Sequence, residues 1–136
     1  MAGSVTYTQT DRWTKNDPVR KITMAWTSDV SGNVSGNLSP QAVSGEILRV
    51  VTVPNGGGTV PTANYDVTLL DEHGLDVLNG RGANRSDTNP EQFMPGVTVS
   101  DGTNNGAAPV AVSGILELRV ANAGAAKGGT VVLYVR

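Results

Sequence analysis

Cysteine is absent from the 136-residue chain, which excludes a disulfide scaffold, a thiolate metal site and a cysteine nucleophile. Aromatic residues are few. One Phe, two Trp and three Tyr leave the core to Val, Leu and Ile, with less apolar area per residue, so burial gained by oligomerisation is expected. A single histidine leaves little scope for imidazole chemistry. Charge is scarce as well: ten basic side chains against twelve acidic ones give a net charge of -2 and no field that would gather nucleic acid or an anionic membrane. Long apolar runs are missing. The uncharged stretches Val50 to Ala63 and Gly102 to Leu116 are broken by Gly, Pro, Asn and Ser, well short of the roughly 20 apolar residues of a spanning helix. The N-terminus alternates and is polar, without the basic and apolar regions of a secretory signal, so synthesis in a cytoplasm is expected.

What is present is a strand-former's composition. Val, Thr and Ile fill 36 positions and Gly, Asn, Ser and Pro another 44, so β-branched runs alternate with turn chemistry. No stretch carries apolar residues at helical spacing for eleven or more residues. Period-two alternation predicts strands at Ser4 to Gln9, Arg20 to Thr27, Gly45 to Val53, Tyr65 to Asp71, Gly96 to Ser100, Val110 to Ala121 and Thr130 to Arg136. Two hairpins are expected: Val34 to Leu38 returning on the Arg20 to Thr27 strand, and Leu75 to Leu78 returning on Tyr65 to Asp71. Gly45 to Val53 is apolar on both faces, as in a central strand or one covered by a neighbouring subunit. Asn79 to Gln92 reads as an exposed excursion of doubtful order. Val-Ser-Gly-x-apolar occurs from Val34, Val43 and Val112, and each copy reads as a turn leading into a strand. About eight strands at this spacing predict an all-β fold, a jelly-roll-like β-sandwich, as a single domain over 1–136. Residues 1–18 are either an arm that folds on a neighbour or a first strand and loop of the same sandwich.

The chemistry-bearing clusters are sparse. Asp71, Glu72, His73 and Asp76 gather oxygens and one imidazole, but a hairpin tip points adjacent side chains apart and no second histidine completes a transition-metal set. No serine stands in a nucleophile elbow to use His73 as a base. Asp66, Asp71 and Glu117 are carboxylates that a fold could pair for glycoside chemistry. Asp101 to Gly106 has oxygens in loose calcium-loop order without the terminal glutamate. Gly56 to Gly58 and Gly128-Gly129 lack the helix and Lys-Ser/Thr of a phosphate loop. No enzyme and no cofactor is expected. Partner contacts are assigned instead to Arg12 and Trp13 near the N-terminus and to Arg81 and Arg85 in the excursion, since Trp and Arg are enriched where partners dock.

Several phrases carry a resemblance: Val19-Arg20-Lys21-Ile22-Thr23-Met24-Ala25-Trp26-Thr27-Ser28-Asp29, Leu48-Arg49-Val50-Val51-Thr52-Val53-Pro54, Tyr65-Asp66-Val67-Thr68-Leu69-Leu70-Asp71, Gly82-Ala83-Asn84-Arg85-Ser86, and Val120-Ala121-Asn122-Ala123-Gly124 followed by Gly129-Thr130-Val131-Val132-Leu133-Tyr134-Val135. Together the chain resembles small virion structural proteins of tailed bacteriophages, and looks most like the capsid cement, or decoration, proteins of Bordetella-phage-like podoviruses. The resemblance implies a jelly-roll sandwich on the capsid exterior, bound to the major capsid protein and clamping neighbouring capsomers. It supplies no functional residues, because such a protein has a contact surface in place of a catalytic motif. A homo-oligomer, with a dimer favoured, would let one small patch engage two capsomers. The competing readings are a tail or head-tail connector component and a carbohydrate-binding β-sandwich using Trp13 or Trp26 as a platform.

Overall fold

The computed structural model describes residues 2–10, 19–100, 102–103 and 105–136. Among these, ten strands form antiparallel pairs: β1 (Ser4–Thr10), β2 (Arg20–Thr27), β3 (Val43–Pro54), β4 (Asp66–Leu70), β5 (Glu91–Phe93), β6 (Val97–Ser100), β7 (Asn105–Ala108), β8 (Val110–Gly114), β9 (Glu117–Ala121) and β10 (Gly128–Val135). The larger sheet has the order β1-β2-β10-β3-β5, and β8 also pairs with β3. The smaller layer is β4-β9, widened by single bridges from Val34 and Leu38 to β9 and from Asp76 to β4, with Tyr65↔Arg85 beside it. The fold is an all-β sandwich. No helix among the described residues is long and apolar enough to cross a membrane.

Alternation explains the core. Ile22, Met24 and Trp26 of β2 and Val131, Leu133 and Val135 of β10 share the inner face and are all buried. They meet Val67 and Leu69 of β4 and Leu118 and Val120 of β9 in one hydrophobic cluster. Each such side chain contributes roughly 1.5–3 kcal/mol of transfer free energy. Trp26 and Tyr65 pack with ring centroids 5.4 Å apart at 48°, a tilted arrangement that suits their quadrupoles.

Several expectations are corrected. Val34 to Leu38 does not return on β2; Val34 and Leu38 bridge to Val120 and Glu117 in the other layer. Leu75 to Leu78 does return on Tyr65 to Asp71, through the bridge Leu70↔Asp76 and the bonds from Asp71 N–H to Leu75 O and from Val77 N–H to Leu69 O, but the return is short, breaks into a turn at Val77, and leaves Leu75 exposed. Val110 to Ala121 is two strands: β8 lies in the larger sheet and β9 in the smaller, and the chain changes layer at Gly114, whose φ of 156° bends it. The double apolar character of the central strand comes from a β-bulge. Pairing with β10 shifts between Arg49 and Ile47, so Val43 and Ile47 point inward before Leu48 and Val50 and Thr52 point inward after it. Two of the Val-Ser-Gly copies are partners, not turns: Val43-Ser44-Gly45 pairs antiparallel with Val112-Ser113-Gly114.

The 79–92 excursion is seated on the sandwich. Val67 N–H donates to Gly82 O (2.9 Å), Arg85 N–H to Tyr65 O (2.8 Å) and Asn84 N–H to Asp66 Oδ1 (3.0 Å). Asn79 Nδ2 donates to Pro95 O and Gly96 O, and the segment runs into β5. Backbone pairing does the work that apolar side chains do elsewhere.

Candidate interaction surface

The acidic side chains come first, because any catalytic or metal site here would be built from them. Among the described residues, Asp29, Asp66, Asp71, Asp76, Glu91 and Glu117 accept backbone N–H groups. Asp29-Val30-Ser31-Gly32 and Asp71-Glu72-His73-Gly74 are two copies of one device. In each the aspartate Oδ1 accepts N–H groups two and four residues on, and the glycine N–H returns to the aspartate carbonyl. The N–H of Asn33 holds the Asp29 carboxyl below the ordinary carboxylate range, and that of Leu75 does the same for Asp71. Glu117 is lowered chiefly by the Arg119 guanidinium at 2.6 Å and then by Gly36 N–H. Asp76 bonds Leu69, Leu78 and Gly80 N–H, and Asp66 ties Asn84 to Asn122. Asp in the first turn position and Gly in the fourth was a legible signal for this role.

His73 is exposed, 3.6 Å from Glu72 Oε1. Among the described residues no group of three His, Cys, Asp or Glu is placed to hold a metal. Asp66, Asp71 and Glu117 are each committed to different loops. Asp101 and Asn104 lie outside the described residues, and their neighbours Ser100 and Asn105 close the β6–β7 hairpin.

Of the four assigned contact residues, Arg12 and Trp13 lie outside the described residues. Arg81 is exposed beside a shallow recess of about 300 Å³ with Asn79, Gly96, Val97 and Thr98. Arg85 is committed internally: its side chain is 18% exposed, lies 3.7 Å from Glu91, sits over the Phe93 ring at 5.3 Å and donates to Ala83 O. It braces the excursion and is not a free contact. Trp26, at 2% exposure, is no carbohydrate platform.

Tyr7 is a role that alternation alone did not reveal. Its Oη donates to Asn37 O and accepts Leu118 N–H (3.1 Å), pinning β1 to the second layer, and burial raises its pKa. Tyr65 is more deeply buried: burial first, then the Glu91 charge, push its pKa to about 12. The Thr52 hydroxyl offsets this only in part, and the Tyr65 hydroxyl makes no hydrogen bond among the described residues.

The outer face of the larger sheet is covered by no other described strand. Register lines up Thr6, Ala25, Thr130 and Val53 in one row and Thr8, Thr23, Val132, Val51 and Gln92 in the next. These two rows carry no charge, and Val132 at their centre is only 8% exposed because its β-branched neighbours close over it. The following row supplies Lys21, Tyr134 and Arg49, with Arg49 stacked on the Tyr134 ring at 5.0 Å and bonded to Gln92. No family model matches the chain, and neither a curated protein nor a solved structure gives a match.

Proposed function

We propose that the chain is a non-enzymatic virion structural protein that binds the outside of a phage's major capsid protein shell and clamps neighbouring capsomers, as the sequence resemblance implies. The observation that carries the reading is the uncharged, closely packed outer face formed by Thr6, Thr8, Thr23, Thr130, Val51, Val53 and Val132. Such a face offers preorganised apolar and hydroxyl contact with little side-chain entropy to lose, which suits docking on a rigid protein lattice. Lys21 and Arg49 at its end fix orientation against acidic groups. The carboxylates support the same reading, since six of those among the described residues are loop anchors.

The test is to add purified protein to capsids of the encoding phage assembled without it and to image them by electron microscopy. Regular added density over the shell is the expected result, and the pair Thr23→Asp and Val51→Asp should abolish it while leaving the circular dichroism spectrum unchanged. Density only at the neck would replace this reading with a tail or connector role. Absence of binding would overturn it and direct the search to glycans.

A further inference from the structure

We propose that β1 is a pairing edge for a second copy of this chain: two copies join antiparallel through Ser4–Thr10 about a two-fold axis at Tyr7, making one sheet continuous across the pair. The larger sheet ends at β1, and no described residue pairs with its outer side. The other edges of the two layers are blunted. β9 is flanked by Val34 and Leu38, and β4 by Gly82 and Asp76. On the far side of β3, β5 is three residues long between Pro90 and Pro95, and β8 follows Pro109. β1 has none of the usual protections: its seven residues, Ser-Val-Thr-Tyr-Thr-Gln-Thr, include no charge, no proline and no glycine.

The sequence favours a copy of itself as the occupant. Read from Tyr7 outward it is nearly symmetric, Thr6 against Thr8 and Ser4 against Thr10, so antiparallel self-pairing places Thr6 opposite Thr8 of the partner subunit. Thr-Thr pairs are among the favourable cross-strand neighbours, and two uncharged strands meet without repulsion. The two-fold relation makes the contact isologous and closed, so it stops at two copies. Seven residues per copy cover less than the roughly 1,000 Å² of a persistent interface, so the pair is weak in dilute solution and gains on a repeating surface through avidity.

This inference does not depend on the capsid reading, and its test uses the purified chain alone. Sedimentation equilibrium over rising concentration should show the mass moving from 14.1 kDa toward twice that value. Thr6→Lys with Thr8→Lys, both on the exposed outer face, should weaken association by about tenfold or more, whereas Thr23→Lys one strand inward should not. Because the chain has no cysteine, a Thr6→Cys chain mixed with a Thr8→Cys chain should form the mixed disulfide in preference to either symmetric one. A monomer at every concentration, association unchanged by the double lysine variant, or no preference for the mixed disulfide would each overturn the proposal. If the double lysine variant fails to fold, the cysteine pair decides alone.

Discussion

At one margin of the larger sheet β1 runs seven residues without a charge or a proline, whereas at the other β5 and β8 share the flank of β3 as pieces of three and five residues set off by Pro90, Pro95 and Pro109. The closed margin is held by a loop that travels from β4 to β5 and is fixed by Asp66, Asp76, Asn79 and Glu91 through backbone hydrogen bonds. The open margin is held from within, by β2 on one side and by the Tyr7 hydroxyl reaching the second layer. Polar side chains thus close one edge, and a hydroxyl turned inward fastens the other to the second layer. At both margins a few polar groups, not apolar packing, fix where the sheet ends.

The closed margin is the more fragile to steric change. A Cβ at Gly82 would lie 2.1 Å from Val67 O, where the excursion crosses β4, and neither backbone can yield without breaking the Val67–Gly82 hydrogen bond. Gly82→Ala should therefore cost about 3 kcal/mol, read as a lower midpoint in urea. An unchanged midpoint would mean that the loop is not seated on β4. Next in size is Tyr7→Phe. It leaves the Leu118 N–H and the Asn37 carbonyl without their hydroxyl partner, at a cost of about 1–3 kcal/mol, and should selectively raise hydrogen exchange in β1.

Two arginines of the closed margin sharpen the comparison. Arg85→Ala removes the contact with Phe93 and the pairing with Glu91 and should destabilise by about 1 kcal/mol. Arg81→Ala touches only the surface and should change stability by less than about 0.5 kcal/mol. If Arg81 is a shell contact, that variant keeps the wild-type melting temperature and loses capsid affinity, which denaturation and binding assays measure separately.

Much of this architecture was legible from period two. The inward sets of β2, β4 and β10 follow directly from Ile22-Met24-Trp26, Tyr65-Val67-Leu69 and Val131-Leu133-Val135. What was hidden has physical reasons. The bulge at Leu48 shifts parity inside a run that is apolar on both sides of Arg49, so the run looks two-faced, and the change of layer at Gly114 falls inside another mostly apolar run. The partner of Val34 and Leu38 is more than 75 residues away, and turn chemistry predicts only near neighbours. The excursion has too few apolar residues to advertise that it is packed. Of the contact candidates, the arginine type was readable but its use was not: Arg85 is consumed by Glu91 and Phe93, and Arg81 is free for solvent.

The smallest expected effect is also the one that best separates loops from edges. Asp29, Asp71 and Glu117 have folded carboxyl groups lowered by N–H and guanidinium partners. A lowered folded value means that their stabilisation is fully present above the unfolded value of about 4 and is lost as pH falls through the folded one. The Asp29 and Asp71 carboxyls are only half-buried and stay in reach of solvent, so each contribution is modest. Acid should therefore loosen the Asp29 and Asp71 turns first. Protection factors for the amides of Ser31, Asn33, His73 and Leu75 should drop as the pH is taken from about 5 to about 2.5, while those shared by β1 and β2 hold, because that pairing includes no carboxylate. Earlier loss at β1 would reverse the comparison and make the open margin, rather than the acidic turns, the acid-labile part of the molecule.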